Sequence, residues 1–305
     1  MNHEPVLLTE SVGFLITAKD GIYLDATAGF GGHSEEILKK IDINGKLIAT
    51  DKDKSAFDYC REKFSGDKRF SIYNTGFTNI DSISKIEFID NFDGILADLG
   101  VSSYQLDTVE SGFTFREDAP LDLRMNKGEG ISASDLLNKF PQEEIAKILF
   151  ELGEEKNSRI IARKIVEQRL TEKFSNTFQL KKIIEQVAPA RFLNKSLSRV
   201  FQALRIFVNN ELEELKIFLD KSISLLKPGG RIVVLGYHSL EDRIVKERMK
   251  YESLSCICAP GIPICVCGKV PRLKLITRKP VSPDDTEVGR NRRARSAKMR
   301  VAERV

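Results

Sequence analysis

The chain has 305 residues, of which 41% are hydrophobic and 30% are charged, and its net charge is +4. This length favours about two domains, and the composition excludes a disordered or fibrous protein. The sequence contains no run of about 18 apolar residues, which excludes a membrane-spanning helix. Its N-terminal residues lack the basic and apolar segments of a signal peptide, so we expect a cytoplasmic protein.

Strand-like and helix-like segments alternate through the first hundred residues. Strand candidates cover residues 22–26, 46–50, 69–73 and 93–97, and helix candidates cover residues 34–41 and 55–64. Strands separated by helices of this length predict a parallel sheet with helices on both faces.

This alternation stops between residues 112 and 197, where the apolar spacing is helical. Ser134 and Asp135 can cap one helix, Pro141 can begin another, and two more are predicted at residues 160–170 and 177–187. A long helix over residues 204–225 and a strand over residues 231–236 follow. We predict one α/β domain in two parts, residues 1–110 and 199–305, with an inserted all-helical domain at residues 111–198.

Residues 25–38, DATAGFGGHSEEIL, predict a strand, a glycine-rich turn and a helix. No Gly-Lys-Ser/Thr follows, which disfavours a phosphate-binding P-loop, and Ser34 replaces the third glycine of a dinucleotide fingerprint. Asp25 would also repel a pyrophosphate. Because S-adenosylmethionine is positively charged, an acid beneath the turn favours that cofactor instead. Gly29, Gly31 and Gly32 would let it approach the backbone, although a tight turn without a ligand remains an alternative.

Two further acids follow predicted strands. Asp51, at the end of the second strand, is placed to bind ribose hydroxyls. Asp98, at the end of the fourth, could accept a hydrogen bond from an exocyclic amine during methyl transfer, contact the cofactor, or only cap a turn. Carboxyl ends of parallel strands form the ligand site of open α/β sheets. The pattern therefore predicts a Rossmann-like, S-adenosylmethionine-dependent methyltransferase sheet.

Other residues allow both a functional and a structural interpretation. Phe113 and Phe115, with Arg116 and Arg124 nearby, could stack on a base and bind phosphate, or the phenylalanines could pack in a core. His238 could face the same cleft, or it could be a histidine satisfied at a strand end.

A basic segment and four cysteines lie near the C-terminus. Residues 290–300, RNRRARSAKMR, could be a solvated, partly frayed tail or could bind a nucleic-acid backbone. Cys60 is isolated and is expected to be buried. The pairs Cys256/Cys258 and Cys265/Cys267 could converge on zinc, although free reduced thiols are the alternative and we assign no metal site.

Several motifs together resemble the bacterial small-subunit ribosomal RNA methyltransferases that modify the exocyclic 4-amino group of a decoding-centre cytidine. The resemblance covers nearly the whole chain. The matching motifs are residues 3–10, 29–34, 98–107, 112–115, 120–125, 201–206, 238–243 and 291–296.

This resemblance implies the activity, the partner and a set of site residues. The implied reaction transfers a methyl group from S-adenosylmethionine to a cytidine in the decoding region of 16S rRNA, within the small ribosomal subunit. The implied cofactor contacts are Gly31, Gly32, His33, Asp51, Phe77, Asp98 and Gln105. Two rival functions stay open: a nicotinamide-dependent dehydrogenase, and an RNA-binding assembly factor that no longer transfers methyl groups.

Overall fold

The computed structural model describes residues 5–100, 112–128, 130–259 and 264–305. The chain forms two compact units. The first, the sheet unit, comprises residues 1–100 and 212–305, and the second, the helical unit, comprises residues 101–211. No helix in the described ranges combines the length and the apolar character that crossing a bilayer requires.

The sheet unit begins with alternating helices and strands. Its first elements are α1 (Leu8–Leu15), β1 (Ile22–Asp25), α2 (Gly32–Lys40), β2 (Lys46–Asp51), α3 (Lys54–Lys63), β3 (Phe70–Asn74), a 3-10 turn (Phe77–Asn79), α4 (Ile80–Ile86) and β4 (Phe92–Asp98). The helical unit follows with α5 (Ala133–Lys139), α6 (Gln142–Glu151), α7 (Ser158–Arg169), α8 (Thr177–Glu185) and α9 (Leu193–Val208). The chain then continues with α10 (Glu211–Leu225), β5 (Leu226–Gly236), α11 (Ser239–Glu252), β6 (Leu273–Leu275), α12 (Asp285–Arg290), a 3-10 segment (Arg292–Ser296) and β7 (Lys298–Arg304).

The described residues form a seven-stranded sheet in the order β3-β2-β1-β4-β5-β7-β6. Strands β1 to β5 pair in parallel, as the alternation of strands and helices predicts. Strand β7 pairs antiparallel with both β5 and β6. The parallel sheet predicted from the alternating segments is therefore confirmed, and the antiparallel strands β6 and β7 extend it at one edge.

Successive strand residues alternate between two apolar layers, as the two-residue period of a strand requires. Leu24 and Ile95 belong to one layer, which also contains apolar residues of α4, α10 and α11. Tyr23 and Leu96 belong to the other layer, which contains apolar residues of α1 and α2. The central strands of the sheet are therefore covered on both faces.

The described residues of the helical unit form an apolar core, to which α5 to α9 all contribute. Two of its described helices begin with a reciprocal capping box, formed by Ser132 with Asp135 and by Asn176 with Gln179. The predicted cap at Ser134 and Asp135 is thus wrong by two residues, since Ser132 is the N-cap. Pro141 is likewise the N-cap of α6 and not its first helical residue.

The predicted helix over residues 204–225 is two helices, α9 and α10. The backbone is left-handed at Asn210, with a φ of 51°. This conformation cannot continue a right-handed helix, so the first helix ends before it. Leu197, Val200 and Phe201 of α9 belong to the helical core. The helical unit thus extends to residue 211, beyond the boundary at residues 198 and 199 that the sequence suggested.

Candidate active site at the carboxyl edge of the sheet

Three aspartates end neighbouring parallel strands of the sheet unit. Asp25, Asp51 and Asp98 are the last residues of β1, β2 and β4. The strand order reverses between β1 and β4, so the crevice outside their carboxyl ends is the expected ligand site of this topology. The sequence prediction that these acids converge on one edge is confirmed.

Asp25 is buried, with 1% of its surface exposed. Its carboxylate accepts hydrogen bonds from the Ser34 hydroxyl (2.6 Å) and from the Thr27 N–H (3.2 Å). Burial raises the pKa of this carboxyl above its usual range, while the nearby His33 opposes that shift. Asp25 therefore lies enclosed beneath the turn and connects the end of β1 to the first turn of α2.

The glycines of the turn serve two different purposes. A side chain at Gly29, whose φ is 51°, would enter open space with no atom within 4 Å. At Gly31, whose φ is 77°, a Cβ would lie 2.7 Å from Phe64 Cε2, and at Gly32 it would collide with Pro5. Gly31 and Gly32 are thus required by packing within the protein, and only Gly29 leaves room for a ligand on its Cβ side.

Asp51 fastens the turn through both of its carboxylate oxygens. One accepts the Gly29 N–H and the other the Asp53 N–H, each at 2.8 Å. The Cys60 thiol donates to the Gly29 carbonyl (3.2 Å), and burial raises its pKa to about 12, so it stays protonated. Burial also raises the pKa of Asp51. Because each carboxylate oxygen has a second lone pair, Asp51 can still accept hydrogen bonds from a ligand.

Asp98 is held by a residue that the sequence analysis missed. The Tyr237 hydroxyl donates a 2.6 Å hydrogen bond to Asp98 Oδ1, and the Asp98 N–H donates to Thr27 Oγ1 (2.7 Å). Burial, and secondarily the Asp98 charge, place the pKa of Tyr237 well above its usual range, so the phenol remains a donor. Tyr237 directly follows β5, and β5 is the strand adjacent to β4. That position in the sequence could have indicated that Tyr237 reaches Asp98.

His33 lies in the first turn of α2 and is 5% exposed. Its Nδ1 is 3.8 Å from Asp98 Oδ2, the carboxylate oxygen opposite the one that Tyr237 contacts. Burial lowers the pKa of His33, although Asp25 opposes the shift, so a neutral imidazole is favoured. The structure thus places His33 next to Asp98. The resemblance implied that both residues contact the cofactor.

Phe77 follows β3 in the 3-10 turn, and its partly buried ring packs edge to face on Phe218 with centroids 5.1 Å apart. Gln105 lies outside the described residues. His238 is the N-cap of α11, where Nδ1 accepts the Glu241 N–H (3.4 Å) and Nε2 is 3.2 Å from Glu241 Oε1. His238 is thus a helix cap at the end of β5, as its structural interpretation suggests, although its buried Nε2 has no hydrogen-bond partner.

The aromatic residues predicted to stack on a base belong to the core of the helical unit. Phe113 is buried there, and Phe115 packs on Phe201 with centroids 5.5 Å apart. Arg124 forms a close ion pair with Asp122, at 2.6 Å. Core packing is thus the correct interpretation for both phenylalanines, while the Arg116 side chain is exposed.

The basic segment at residues 290–300 is an ordered part of the sheet unit, so its interpretation as a frayed tail is wrong. It ends inside β7, where Arg300 is buried and forms a 2.7 Å ion pair with Asp242. Lys298 pairs with Gly236, the last residue of β5, so β7 begins at the edge where β5 ends. The preceding 3-10 segment, with exposed Arg292 and Arg295, therefore adjoins the same edge as Asp98.

Comparison with known proteins gives a family for the whole chain. The model of the MraW methylase family matches residues 1–305. A protein of Caldicellulosiruptor saccharolyticus named ribosomal RNA small subunit methyltransferase H is 48% identical, and the alignment covers 99% of each chain. A protein of the same name from Fusobacterium nucleatum is 44% identical over 99% of this chain and 97% of its own. A putative methyltransferase from Streptococcus mutans, solved in complex with SAH, aligns over 100% of both chains with 12% identity and a TM-score of 0.46.

Proposed function

Because the chain belongs to the MraW methylase family and is an S-adenosylmethionine-dependent methyltransferase, we propose that it methylates the exocyclic 4-amino group of a cytidine in the decoding region of 16S rRNA. The observation that supports this proposal most is the pair formed by Asp98 and Tyr237 at the edge where β1 and β4 diverge. That pair holds a carboxylate where an amine can reach it. Family membership also excludes the rival function of a nicotinamide-dependent dehydrogenase.

The residues at the edge fit the cofactor. The space beside Gly29 is open, and the turn that carries it is fixed by Asp51 and Cys60. The first turn of α2, at Gly32 and His33, presents backbone N–H groups that have no partner within the helix. Such groups attract anions, so in our proposal the N–H groups of Gly32 and His33 contact the carboxylate of the methionine moiety, and Gly31 contacts the cofactor from the same turn.

Asp51 and Phe77 are assigned to the adenosine. The free lone pairs of the Asp51 carboxylate accept hydrogen bonds from the ribose hydroxyls, as acids at the end of a second strand do in related sheets. Phe77 is partly exposed and its ring is held by Phe218, which suits it to packing on the adenine. The proposed cofactor contacts also include Asp98 and Gln105.

Asp98 is the proposed catalytic residue. The bound cofactor supplies an electrophilic methyl group. The lone pair of an exocyclic cytosine amine is delocalised into the ring, so the amine is a poor nucleophile until an acceptor binds its N–H. Asp98 would accept that hydrogen bond, turn the lone pair toward the methyl group, and take up the proton that the nitrogen loses as the N–C bond replaces the S–C bond of the cofactor. Tyr237 donates to Oδ1 and thereby orients the carboxylate.

The RNA is proposed to reach this edge along the basic 3-10 segment. Arginine side chains bind phosphate in a bidentate manner, and they position a nucleic acid without reading its sequence. Arg292 and Arg295 are exposed beside the strand end that carries Tyr237. The relatives named ribosomal RNA small subunit methyltransferase H support an rRNA substrate. The finer assignment to one decoding-region cytidine follows the motif resemblance.

A labelled transfer assay tests the proposal. Small ribosomal subunits that lack the modification are incubated with the protein and methyl-labelled S-adenosylmethionine, and the rRNA is digested to nucleosides. We expect N4-methylcytidine from one position, and none from large subunits. The matched control is Asp90→Asn, which changes an exposed aspartate before the opposite end of β4 and should leave the yield unchanged.

Two results would contradict the proposal. Label in a different nucleoside would show that another acceptor is methylated. No label in any rRNA, from protein that binds the cofactor, would favour the assembly factor that keeps the fold without catalysis.

A further inference from the structure

The segment between α11 and β6 contains four cysteines that the proposed reaction does not use. Cys256 and Cys258 follow α11, and Cys265 and Cys267 precede β6. Their four sulfur atoms all lie within 4.8 Å of one another. All four are free thiols in the structure. The two pairs, separated by six residues in the sequence, therefore converge on one point.

The spacing of these sulfurs matches the coordination of a single metal ion. The distances are 3.9 Å between Cys258 and Cys265, 3.5 Å between Cys265 and Cys267, and 3.9 Å between Cys267 and Cys256. Four sulfurs at about 2.3 Å from a tetrahedral zinc ion lie about 3.8 Å apart. A disulfide requires sulfurs at about 2.0 Å, so the observed distances exclude disulfides among these pairs and agree with a four-sulfur metal site.

Backbone N–H groups support the sulfurs from within the same segment. The Ile257 N–H donates to Cys267 Sγ (3.3 Å), and the Cys258 N–H donates to Cys256 Sγ (3.4 Å). Such donors orient thiolate ligands and offset part of their negative charge when a metal is bound. The Ile257 N–H links the two cysteine pairs, whereas the Cys258 N–H acts within one pair.

The described residues of this segment pack little against the rest of the protein. None of the described residues at positions 254–259 and 264–270 is buried, and Ile264 and Val266 are 76% and 78% exposed. A segment that buries no apolar side chain cannot offset the entropy cost of its own ordering, and small units of this kind are stabilised by disulfides or metals. The four sulfurs are the group within it that can provide such a link.

The base of the segment is anchored to the sheet unit. Glu252, at the end of α11 and 2% exposed, forms ion pairs with Lys269 (3.3 Å), Arg272 (3.3 Å) and Arg248 (3.0 Å). The Arg272 N–H also donates to the Glu252 carbonyl (2.8 Å). The two ends of the segment are thus held together, which brings the two cysteine pairs near each other before any metal binds.

We propose that Cys256, Cys258, Cys265 and Cys267 form a structural site for one zinc ion. Four thiolate ligands close the coordination sphere and leave no position for water, so the site is structural and takes no part in catalysis. Zinc is the ion that tetrahedral thiolate sites of this kind bind without redox chemistry. The site would fix the exposed segment that precedes β6.

Metal analysis of the full chain, purified without chelators, tests the site. We expect about one zinc per chain, with X-ray absorption showing four sulfur ligands at about 2.3 Å. Cys258→Ser and Cys265→Ser, one from each pair, should each reduce the zinc content at least about fivefold. Val266→Ser is the matched control, because it changes an exposed residue between two ligands and should keep the metal.

A second measurement on the unaltered protein covers the case in which the cysteine variants fail to fold. A zinc chelator should make residues 253–271 at least about tenfold more sensitive to protease, and added zinc should restore protection. Protein purified with no metal, with iron in place of zinc, or with equal zinc in Cys265→Ser would overturn the proposal, as would protease sensitivity unaffected by chelation. Because methyl transfer is not the readout, these results are separate from those that test the proposed function.

Discussion

The carboxyl edge of the sheet and the helix starts of the helical unit use polar groups in different ways. At the edge, Asp25 and His33 are buried and ionisable, and burial shifts the pKa of each toward its neutral form. In the helical unit, the polar residues Ser132 and Asn176 cap helices and satisfy backbone N–H groups. Caps stabilise a fold, whereas desolvated charges destabilise it. A cluster of such charges therefore indicates a site selected for function.

The largest effect should come from Asp98. Asp98→Ala removes the proposed acceptor of the amine proton, so kcat for methyl transfer should fall about 10²- to 10⁴-fold. Single-turnover rates and the affinity for the cofactor, measured separately, distinguish a catalytic role from a binding role. Tyr237→Phe should reduce kcat only about tenfold, since it removes one orienting hydrogen bond. A normal kcat in Asp98→Ala would end the catalytic assignment.

The helical core should show the opposite behaviour, with large effects on stability and none on the site. Ile161 is fully buried and its neighbour Ile160 is 44% exposed, which gives a matched pair. Ile161→Ala should lower the free energy of unfolding by about 2–5 kcal/mol. Ile160→Ala should change it by less than about 0.5 kcal/mol. Denaturant unfolding monitored by circular dichroism measures both, and equal effects would mean that this core is assigned wrongly.

Substitutions in the glycine turn can distinguish a loss of packing from a loss of ligand binding within the sheet unit. Gly31→Ala should mainly cost stability, by about 1–3 kcal/mol, because its Cβ would press on Phe64. Gly29→Ala should cost about 1 kcal/mol for its left-handed conformation and should reduce cofactor affinity at least about tenfold. Thermal unfolding and calorimetric titration of both variants provide the measurements. Full cofactor affinity in Gly29→Ala would show that the open space beside it is not part of the site.

The basic 3-10 segment should give the smallest effect. Arg292→Ala combined with Arg295→Ala should raise KM for small subunits about three- to tenfold, and the slope of log affinity against log salt should become shallower by roughly 1–2. The control removes two exposed charges before the opposite ends of β1 and β3, with Lys19→Ala and Lys68→Ala. Equal losses in both double variants would indicate a general charge effect and no defined RNA path.

The sequence predicted the parallel strands and the acids at their ends because both follow local rules. Apolar runs of strand length alternate with helices, and Asp25, Asp51 and Asp98 directly follow them. The helical unit was predicted for the same reason, since its apolar residues recur at helical spacing. Its boundaries were not, because the break at Asn210 depends on a left-handed residue that the apolar pattern does not reveal.

Other features depend on contacts between distant parts of the chain. The many charges of residues 290–300 did not indicate the strand β7. Arg300 is buried in that strand, where Asp242 of α11 pairs with its charge. Tyr237 has a role only because β5 lies beside β4 and brings its hydroxyl to Asp98. Gly32 was assigned to the cofactor, yet the atom that requires a glycine there belongs to Pro5. None of these pairings leaves a periodic signal in the sequence.

The raised pKa of Asp51 predicts how cofactor binding depends on pH. Burial raises its pKa, and the ionised form is the one that accepts hydrogen bonds from ribose hydroxyls. Cofactor affinity should therefore be complete at alkaline pH and should fall on acidification, starting at a higher pH than the pKa of about 3.9 for an exposed aspartate would give. Asp51→Ala should be weaker at every pH and should lack this loss.

Calorimetric titration of the ligand-stripped protein with S-adenosylmethionine tests the central claim most directly, namely that the carboxyl edge of the sheet binds the cofactor. We predict one site per chain, affinity reduced about 10- to 100-fold in Asp51→Ala, and unchanged affinity in Asp90→Ala. Wild-type affinity in Asp51→Ala, or an equal loss in both variants, would contradict the assignment of this edge as the cofactor site.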